Sequence, residues 1–348
     1  MKEPIVSICL PNLNNRAYLN ERLDSIFAQT FPDWELLVYD NYSDDGAWEL
    51  LQAKARHEPR MRIAQAPRAG MYANWNNCVR AARGKYVYIA TSDDTMAPNC
   101  LARMVEALER NPDCGLCHCL LEIIDVNGQA INSDTWESWD APRYFGEWMN
   151  VAHIRRAPHD GFLHFGLGTI YTSITQLLIR RSVFDQIGLF RTDSHSYADF
   201  EWGMRAGLTQ NVVHLPEKLA TWRRHEAQAT QANQILTTRA RGEFHRLAGK
   251  AVTWLNESDP KLARTLHKSD LQHYYLANEL SARRQLSTSK WEELGTIVSF
   301  IVRHPLFSSY WFYRKVLLRQ SVTIDFREAV QREFTKLGLN NLLVPLSQ

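Results

Sequence analysis

The sequence predicts an α/β fold, an open and mostly parallel mixed sheet flanked by helices, with a helical C-terminal extension. Three observations support this class. Short apolar runs alternate with segments of helical periodicity through the first 125 residues. The apolar runs are continuous, which is typical of strands buried on both faces of a parallel sheet. After about residue 231 the strand signals stop, and the chain becomes helical and basic.

The predicted elements follow one another in regular order. The apolar run at 5–10 predicts the first strand, and the spacing of Leu19, Leu23 and Ile26 predicts the first helix. Residues 130–170, rich in Trp, Gly and Pro, have no clear period, and we expect an irregular, functional segment there. The same arguments predict strands at 35–39, 61–64, 86–90 and 114–124, helices at 47–56, 72–82 and 98–110, and a strand with a short helix within 174–190.

Composition and charge narrow the class of protein. Of the 348 residues, 45% are hydrophobic and 22% are charged, and the formal net charge is +2. This balance, without a basic block between aromatics, argues against a nucleic-acid partner. No apolar run approaches the roughly 18 residues of a membrane span, and no signal peptide is evident, so we expect a cytoplasmic protein. Reduced thiols are then expected at Cys9, Cys78, Cys100, Cys114, Cys117 and Cys119.

Polar clusters follow three of the predicted strands at the point where each strand ends. These clusters are residues 11–15, 40–45 and 92–94. In open α/β sheets, ligands bind outside the carboxyl ends of the strands. Three polar clusters at this edge therefore predict a functional site there.

Carboxylates dominate two of these clusters. Asp93 and Asp94 lie together after a buried strand, and hard oxygen ligands of this kind suit Mg²⁺ or Mn²⁺ beside a substrate phosphate. The alternative is a helix N-cap before Pro98, where Asp is favoured. Asp40 also ends a strand. Its carboxylate can accept a hydrogen bond from the imide N–H of uracil or thymine, or it can simply begin a turn.

Two acids and a cation lie close together further along the chain. Asp199 and Glu201 precede Arg205 in a segment that can begin a helix. One interpretation is a general base within reach of an acceptor proton. The other is a helix start at which acids favour the helix dipole. The sequence WRRH ends at His225, which is either a structural histidine or a ligand.

Five blocks of sequence carry a family resemblance: VSICLPNLNNRAYLNERLDSIFAQTFPDWELLVYDNYSDDG, GMYANWNNCVRAARGKYVYIATSDD, QLLIRRSVFDQIGLF, YADFEWGMR and WRRHEAQAT. Together they resemble the family-2 inverting glycosyltransferases, which have the GT-A fold. The resemblance covers residues 4–230. It implies a GT-A catalytic domain at 1–230, with a nucleotide-sugar half at about 1–125 and an acceptor half at about 126–230. A helical C-terminal extension would occupy 231–348.

The resemblance also implies a reaction and its residues. A sugar would move from a nucleotide-diphosphate donor to a hydroxyl of a glycan or lipid-linked acceptor, with Mn²⁺ or Mg²⁺ and inversion of the anomeric carbon. A UDP-sugar is favoured over dTDP- and GDP-sugars, and surface polysaccharide biosynthesis is the implied context. The implied residues are Pro11 and Asn14 in the nucleotide pocket, Asp40 at the base, Asp93 at the diphosphate, Asp94 and His225 at the metal, Asp199 as general base, Glu201 beside it, and Arg205 in substrate binding.

Three positions depart from the family pattern. Thr91 and Asn41 stand where Asp is common, and Ala198 replaces a frequent acid before the implied base. Thr91 and Ala198 keep a second hypothesis open, a non-catalytic relative that binds sugar nucleotides and acts through partner proteins. Asp94 and Asp199 are both retained, which favours an enzyme because a binding module needs no base.

Two other hypotheses are weaker. A dinucleotide-binding oxidoreductase should carry G-x-G-x-x-G after the first strand, where this chain has residues 11–15. Cys114, Cys117, His118 and Cys119 offer zinc ligands. Alternate residues of a strand face opposite sides, however, so buried structural thiols are the favoured interpretation.

The C-terminal region combines apolar and aromatic residues with cations. Such a segment can lie in a membrane interface near a lipid-linked acceptor, which is one interpretation and would give peripheral contact with the inner membrane face. The alternative is a helical appendage that packs on the catalytic domain or on a second subunit of a homo-oligomer. The residues concerned are Ile297, Val298, Phe300, Ile301, Val302, Leu306, Phe307, Trp311, Phe312, Tyr313, Arg314, Lys315 and Arg319.

Overall fold

The computed structural model describes residues 3–131, 140–167, 169–194, 197–225, 238–267, 287–305, 308–309 and 326–346, together with Leu276, Leu280 and Arg284. The strands are β1 (Val6–Asn12), β2 (Trp34–Asp40), β3 (Met61–Gln65), β4 (Tyr86–Ile89), β5 (Cys114–Ile124), β6 (His153–Arg155), β7 (Leu177–Arg180), β8 (Asn211–Arg223) and β9 (Leu343–Pro345). The helices are α1 (Arg16–Phe27), α2 (Ala47–Ala55), α3 (Met71–Ala81), α4 (Cys100–Arg110), α5 (Asp140–Phe145), α6 (His159–Leu167), α7 (Arg181–Ile187), α8 (Ala198–Thr209), α9 (Thr238–Ser258), α10 (Pro260–His267), α11 (Lys290–Arg303) and α12 (Phe326–Lys336), with 3₁₀ turns at Gly146–Asn150 and Ile174–Gln176.

The described strands form one mixed sheet in the order β3-β2-β1-β4-β7-β5-β8-β6-β9. β1 pairs in parallel with β2 and β4, and β2 pairs in parallel with β3. β7 runs antiparallel between β4 and β5, whereas β5 and β8 are parallel. β6 and β9 add an antiparallel edge beside β8. The predicted class, a mixed α/β sheet flanked by helices, is confirmed.

Helices cover both faces of the sheet. On one face α1, α2 and α4 bury Leu23, Leu51 and Met104 against the strands. On the other face lie α3, α6, α8 and α9. Neighbouring residues of β1 serve opposite layers, since Ile8 packs with the first group and Cys9 with the second. This two-sided burial explains the continuous apolar runs of the sequence.

The predictions for the first 125 residues are confirmed to within a few residues at each end, and so are the strand and short helix expected within 174–190. The prediction of an irregular segment at 130–170 was wrong in part, because α5, β6 and α6 lie there. Residues 159–166 of helix α6 are all buried and the helix packs against α8, so its polar residues form no exposed face and the sequence lacks amphipathic period. Gly161 and Gly207 allow this close packing: a Cβ on Gly161 would lie 2.5 Å from the backbone nitrogen of Leu208.

Strand β8 was not predicted from the sequence. Pro216 interrupts its apolar pattern, and a proline within a run argues against a strand. The structure accommodates the proline with a register shift, in which Cys119 of β5 faces Leu215 and the next residue, Leu120, faces Lys218. The interruption is therefore a bulge within a strand of 13 residues.

The C-terminal extension packs on the preceding part of the chain. The predicted boundary near 230 falls within 226–237, outside the described residues. Helix α9 packs against α8 and buries Leu247, Ala251 and Leu255 in the same core as α3 and α6. β9 then pairs with β6 at the edge of the sheet, which adds a strand to an extension expected to be helical. Within the described ranges, no helix is long and apolar enough to cross a membrane.

The six cysteines are buried and form no disulfide. On β5 the strand alternation separates the candidate zinc ligands, because Cys117 and Cys119 pack with α4 while the ring of His118 stacks on that of His214. Burial raises the pKa of Cys117 and Cys119 well above the usual thiol value. These thiols therefore have the character of small core residues.

Buried histidines form a cluster between β5, β6 and β8. The Nδ1 atoms of His118 and His214 are 2.9 Å apart, and the ring of His153 lies 4.8 Å from that of His214. Burial and the neighbouring Arg155 guanidinium lower the pKa of all three, that of His153 to about 4. Asp160 balances the Arg155 charge at 3.4 Å. The histidines are therefore neutral in the folded protein at neutral pH.

We predict that this cluster makes stability depend on pH. The unfolded chain protonates His153 near pH 6.5 but the folded chain only near pH 4, so stability is complete above about pH 6.5 and falls as pH drops toward 4. His153→Gln, which can still donate to the Val151 carbonyl, should reduce the slope of unfolding free energy against pH by up to about 1.4 kcal/mol per pH unit in this window. Urea unfolding at pH 7.5, 6 and 5 measures it. The exposed His57→Gln serves as control, and an unchanged slope in His153→Gln would contradict the prediction.

Candidate active site

One cavity of about 650 Å³ opens at the carboxyl ends of β1, β2 and β4, where the sequence placed the site. Residues from the end of β1, from the loops after β1, β2, β3 and β4, from the start of α3, from the turn before β7, from the start of α8 and from the end of β8 surround it. They are Pro11, Asn12, Leu13, Asn14, Asn15, Asn41, Arg68, Gly70, Met71, Tyr72, Asn74, Trp75, Thr91, Ser92, Asp93, Asp94, Thr172, Ser173, Ile174, Asp199, Trp222 and His225.

Asparagine side chains hold the three strand ends together. Asn14 and Asp44 exchange two hydrogen bonds, from Asn14 Nδ2 to Asp44 Oδ1 at 2.8 Å and from the Asp44 N–H to Asn14 Oδ1 at 3.0 Å. Asn15 Nδ2 donates to Ser92 Oγ at 2.7 Å, which joins the loop after β1 to the loop after β4. Asn14 has a φ of 52°, a left-handed conformation that Asn tolerates better than most residues. These hydrogen bonds fix the part of the cavity wall that the loops after β1, β2 and β4 form.

Asp40 lies beside the cavity but does not line it. The sequence-based expectation placed its carboxylate at the nucleotide base, whereas the structure buries it completely. Its Oδ1 accepts from Asn12 Nδ2 at 2.8 Å and from Ser43 Oγ at 2.6 Å, and its Oδ2 accepts from the Ser43 N–H at 2.9 Å. Asp40 therefore fixes the loop after β2, and the cavity-lining residue at this strand end is Asn41.

The acid pair Asp93 and Asp94 occupies the wall formed by β4. Asp94 is buried, its Oδ1 accepts from the Arg223 N–H at 2.7 Å, and its Oδ2 accepts from the Thr91 hydroxyl. Burial, with the adjacent Asp93 charge, raises the pKa of Asp94 to about 7. Asp93 is more open and its Oδ2 lies 3.0 Å from Nε2 of His225. An additional positive charge here would favour ionisation of Asp94.

Arg223 connects this acid pair to distant parts of the chain. Its side chain is fully buried, its Nε donates to the Asp93 carbonyl at 2.7 Å, and its Nη2 pairs with Glu21 Oε2 of α1 at 2.6 Å. The guanidinium also lies 4.9 Å from the ring centre of Tyr18, whose ring contacts that of His225. The end of β8 is therefore attached to the acid pair through both the backbone and the side chain of Arg223.

Asp199 also lines the cavity and lies at the start of α8. The Tyr72 hydroxyl donates to its Oδ1 at 2.7 Å, and the Phe200 N–H donates to the same oxygen at 3.0 Å. Burial raises the pKa of Asp199, and these two hydrogen bonds oppose that effect. A partly desolvated carboxylate with a raised pKa is suited to accept a proton.

Glu201 and Arg205 lie outside the cavity lining. The sequence placed both at the substrate, but the structure pairs them with each other on α8, with Arg205 Nε 2.8 Å from Glu201 Oε1. Arg205 also donates to the carbonyls of Ile187 and Leu189, so it joins α8 to the segment after α7. Because Glu201 and Arg205 are one helical turn apart, they pair with each other, and both side chains are buried in the core instead of lining the cavity. They position the helix that carries Asp199.

The family model for glycosyl transferase family 2 matches residues 7–188, more than half of the chain. The chain belongs to glycosyl transferase family 2. It is accordingly a glycosyltransferase, and the family predicted from the sequence is confirmed, while the dinucleotide-binding oxidoreductase is not supported. The protein MT1568 of Mycobacterium tuberculosis is 27% identical over 261 residues, which cover 73% of this chain and 76% of that protein. Four further curated relatives are matched over only 26% to 46% of their own length.

Solved structures share the GT-A fold of this glycosyltransferase. S. aureus TarS 1–349 in complex with UDP-GlcNAc has a TM-score of 0.54 and 14% identity, covering 88% of this chain and 91% of that chain. The mannosyltransferase PcManGT from Pyrobaculum calidifontis, in complex with GDP-Man and Mn²⁺, has a TM-score of 0.50 and 17% identity, covering 98% and 88%. At such identities the likeness shows the fold, which confirms the predicted architecture.

Several cavity residues of this glycosyltransferase escaped the sequence analysis. Arg68 lies in the loop before α3, where its Nε donates to the Asn41 carbonyl at 2.9 Å. Tyr72 and Trp75 face the cavity from α3, although their spacing equally suits a core helix face. The sequence signal available for Arg68 was a single cation two residues before Gly70, just before the start of a predicted helix. The 3₁₀ turn around Ser173 had no signal of comparable strength.

The donor set at the acid pair fits a hard divalent cation. Asp93 and Asp94 offer carboxylate oxygens, and each oxygen of Asp94 accepts only one hydrogen bond from the described residues. His225 adds an imidazole nitrogen on the same wall. Within the described part of the chain, no three His, Cys, Asp or Glu side chains converge as a complete metal site. Such an incomplete set suits Mg²⁺ or Mn²⁺, which retain water and bind substrate phosphates.

We predict that the buried Asp94 charge destabilises the protein when no cation is present. The folded protein holds the Asp94 proton up to about pH 7 but the unfolded chain releases it near pH 3.8, so wild-type stability falls between these values. Asp94→Asn retains both hydrogen bonds without the charge and should be about 1–4 kcal/mol more stable than wild type at pH 8 in chelator. This difference should shrink toward pH 5.

Thermal melts across this pH range provide the measurement. Asp185→Asn, on the exposed side of α7, is the matched control and should change stability by less than about 0.5 kcal/mol at every pH. Equal stability of Asp94→Asn and wild type at pH 8 would show that Asp94 bears no buried charge.

Proposed function

We propose that this protein is a metal-dependent inverting glycosyltransferase that moves a sugar from a nucleotide-diphosphate donor to a hydroxyl of a glycan or lipid-linked acceptor. The observation that carries the proposal is the placement of two kinds of acid in one cavity. Asp93 and Asp94 line one wall and Asp199 lines another, so a cation site for a diphosphate and a proton acceptor face a shared space of about 650 Å³. That volume accommodates a nucleotide-sized ligand.

The proposed chemistry is a single displacement. The acceptor oxygen attacks the anomeric carbon as Asp199 takes its proton, and the bond from that carbon to the diphosphate oxygen breaks with its electrons on the leaving nucleotide. Asp199 thereby acts as general base, in contact with the acceptor rather than the sugar. Attack opposite the leaving group inverts the anomeric carbon, and no nucleophilic side chain is required. In this scheme Glu201 and Arg205 act through the position of α8.

The proposed cofactor is Mn²⁺ or Mg²⁺. Asp94 and His225 would hold the ion, with Asp93 beside them at the diphosphate. When bound, the ion offsets negative charge on the departing diphosphate. Mn²⁺ accompanies the donor in the PcManGT complex, which supports a divalent ion here without choosing between the two metals.

Uridine is the base that we propose for the donor. Asn12, Asn14 and Asn41 line the cavity near the ends of β1 and β2. The amides of Asn14 and Asn41 are already hydrogen bonded within the protein, whereas Oδ1 of Asn12 has no donor among the described residues. An imide N–H of the base would supply that donor. Asp40 would support this contact through Asn12, to which it is hydrogen bonded. TarS is complexed with UDP-GlcNAc but PcManGT with GDP-Man, so each nucleotide belongs in the test.

Calorimetric titration of the full chain with UDP, dTDP and GDP, each with Mn²⁺ and with chelator, tests the donor site. We expect UDP to bind only with the metal, and Asp94→Ala to lose that binding. Asp199→Asn should bind UDP as wild type does, yet transfer sugar at least about a hundredfold more slowly, because only the base is removed. Asp185→Asn, remote from the cavity, should match wild type in both measurements.

The outcomes separate the hypotheses. Failure of the folded protein to bind any of the nucleotides would overturn the proposed donor site. Nucleotide binding without donor hydrolysis or transfer would favour the alternative, a non-catalytic relative that acts through partner proteins. Normal turnover by Asp199→Asn would remove its role as base, and a retained anomeric configuration in the product would exclude the single displacement.

We also propose peripheral membrane contact through the C-terminal region, on the cytoplasmic side, in a pathway for surface polysaccharide. The support is an exposed apolar face on α11 that comprises Trp291, Leu294, Val298, Ile301 and Val302, with Trp291 83% exposed. Leu306, Phe307 and residues 310–325 of the predicted segment lie outside the described residues. An amphipathic helix with such a face can lie in a membrane interface.

Flotation with anionic liposomes should therefore recover the wild-type protein at the top of the gradient. A Trp291→Gln, Val302→Gln double variant should remain at the bottom, because it loses apolar contact with the lipid, while the exposed Val151→Gln should float as wild type does. If no variant floats and the wild type is a dimer that the double variant dissociates, the face binds a second copy, which would contradict membrane contact.

A further inference from the structure

We propose that Tyr72 is a positioning residue that holds Oδ1 of Asp199 and leaves Oδ2 as the oxygen that receives the acceptor proton. The inference rests on the proposed role of Asp199 and deepens it, since it assigns separate duties to the two oxygens of one carboxylate. Tyr72 belongs to α3 and Asp199 to α8, 127 residues apart in sequence, so the contact joins the two halves of the cavity.

The hydrogen bonds at Asp199 are unequally distributed. Oδ1 accepts from the Tyr72 hydroxyl at 2.7 Å and from the Phe200 N–H at 3.0 Å. Among the described residues, none donates to Oδ2. An oxygen with two strong donors is poorly placed to take a third proton, whereas its partner oxygen keeps its lone pairs. Because Asp199 lines the cavity, we assign Oδ2 as the oxygen that an acceptor hydroxyl there would meet.

Tyr72 is suited to hold a carboxylate in one orientation. Its ring is packed against Trp75, at 5.0 Å between ring centres, and against Phe190, at 6.0 Å, and only 2% of the residue is exposed. Burial and the Asp199 charge raise the pKa of Tyr72 well above its usual value, so the hydroxyl keeps its proton and always donates. A rigid donor fixes the rotation of the carboxylate about its χ2 bond, which a solvent molecule cannot do.

Few other groups influence Asp199. Burial raises its pKa, while the Tyr72 hydroxyl and the backbone N–H groups lower it. On its own helix, Glu201 and Arg205 are paired with each other and face the core. The remaining charged and titratable side chains that line the cavity are Arg68, Asp93, Asp94 and His225. Removal of the Tyr72 hydroxyl therefore removes the main side-chain contact that favours the ionised base.

Tyr72→Phe is the direct test, because it deletes the hydroxyl and keeps the ring packing. We expect kcat for transfer to fall at least about tenfold while the KM for the donor stays within about twofold, since the base is misplaced but the donor site is intact. The acid limb of the pH profile of kcat should move to higher pH, because the ionised carboxylate has lost a donor. Tyr86→Phe is the matched control: its hydroxyl contacts Glu109 Oε1 at 2.9 Å, at the opposite end of β4, and its loss should leave both kinetic measurements unchanged.

A second measurement does not depend on turnover. Carbon-13 NMR titration of aspartate-labelled protein identifies the Asp199 carboxyl by its absence in Asp199→Asn, and its midpoint should be higher in Tyr72→Phe than in wild type. A midpoint and a pH profile unchanged in Tyr72→Phe would overturn the inference, and so would a fall in kcat without either shift, since that indicates a packing role. A wild-type protein that transfers no sugar would overturn the proposed function, while the NMR titration would still decide whether Tyr72 acts on Asp199.

Discussion

The attachment of Arg223 to the acid pair is the contact on which the rest of the site depends. Its backbone N–H binds Asp94, its Nε binds the Asp93 carbonyl, and its Nη2 pairs with Glu21. One fully buried residue thus joins the end of β8 to the end of β4 and to α1. Glu21 is half exposed, but the Arg223 guanidinium is fully buried, so its charge-assisted hydrogen bonds fix one orientation of the side chain. The second half of the chain is therefore held in one position relative to the motif contributed by the first, and the cavity walls come together.

The fold could be predicted where local pattern and tertiary environment agree. The runs that became β1, β2, β4 and β5 are apolar on both faces because helices cover both, so their continuous hydrophobicity was a direct signal. Prediction failed where that agreement is lost. Helix α6 is buried on all sides, and close packing at Gly161 replaces an amphipathic pattern. The Pro216 interruption of β8 is relieved only by a register shift against β5, which no local signal contains.

The site could be predicted to the level of the strand end, but not to the direction of each side chain. Asp94 and Asp199 line the cavity as expected. Asp94 lies in the loop after β4, and Asp199 lies in the first turn of α8. Asp40 satisfies the same positional rule, yet Ser43, three residues later, captures its carboxylate within the turn. The sequence allowed either a turn or a ligand contact for Asp40, and in the structure its carboxylate accepts hydrogen bonds from the turn. Arg205 is a similar case, since it forms an ion pair with Glu201 one turn earlier on the same helix and does not line the cavity.

Asp94 and Asp199 have raised pKa values for the same physical reason, burial at the cavity wall, and the proposed reaction relieves each in a different way. At Asp94, the divalent cation proposed to bind with the donor would offset the buried negative charge. At Asp199, the proton proposed to come from the acceptor hydroxyl would neutralise the carboxylate as the new bond forms. The segment from Arg68 to Tyr72 touches both regions, because Arg68 donates to the carbonyls of the loop after β2 and Tyr72 donates to Asp199. These contacts lie four residues apart, so one short stretch of backbone touches both the loop after β2 and the proposed base.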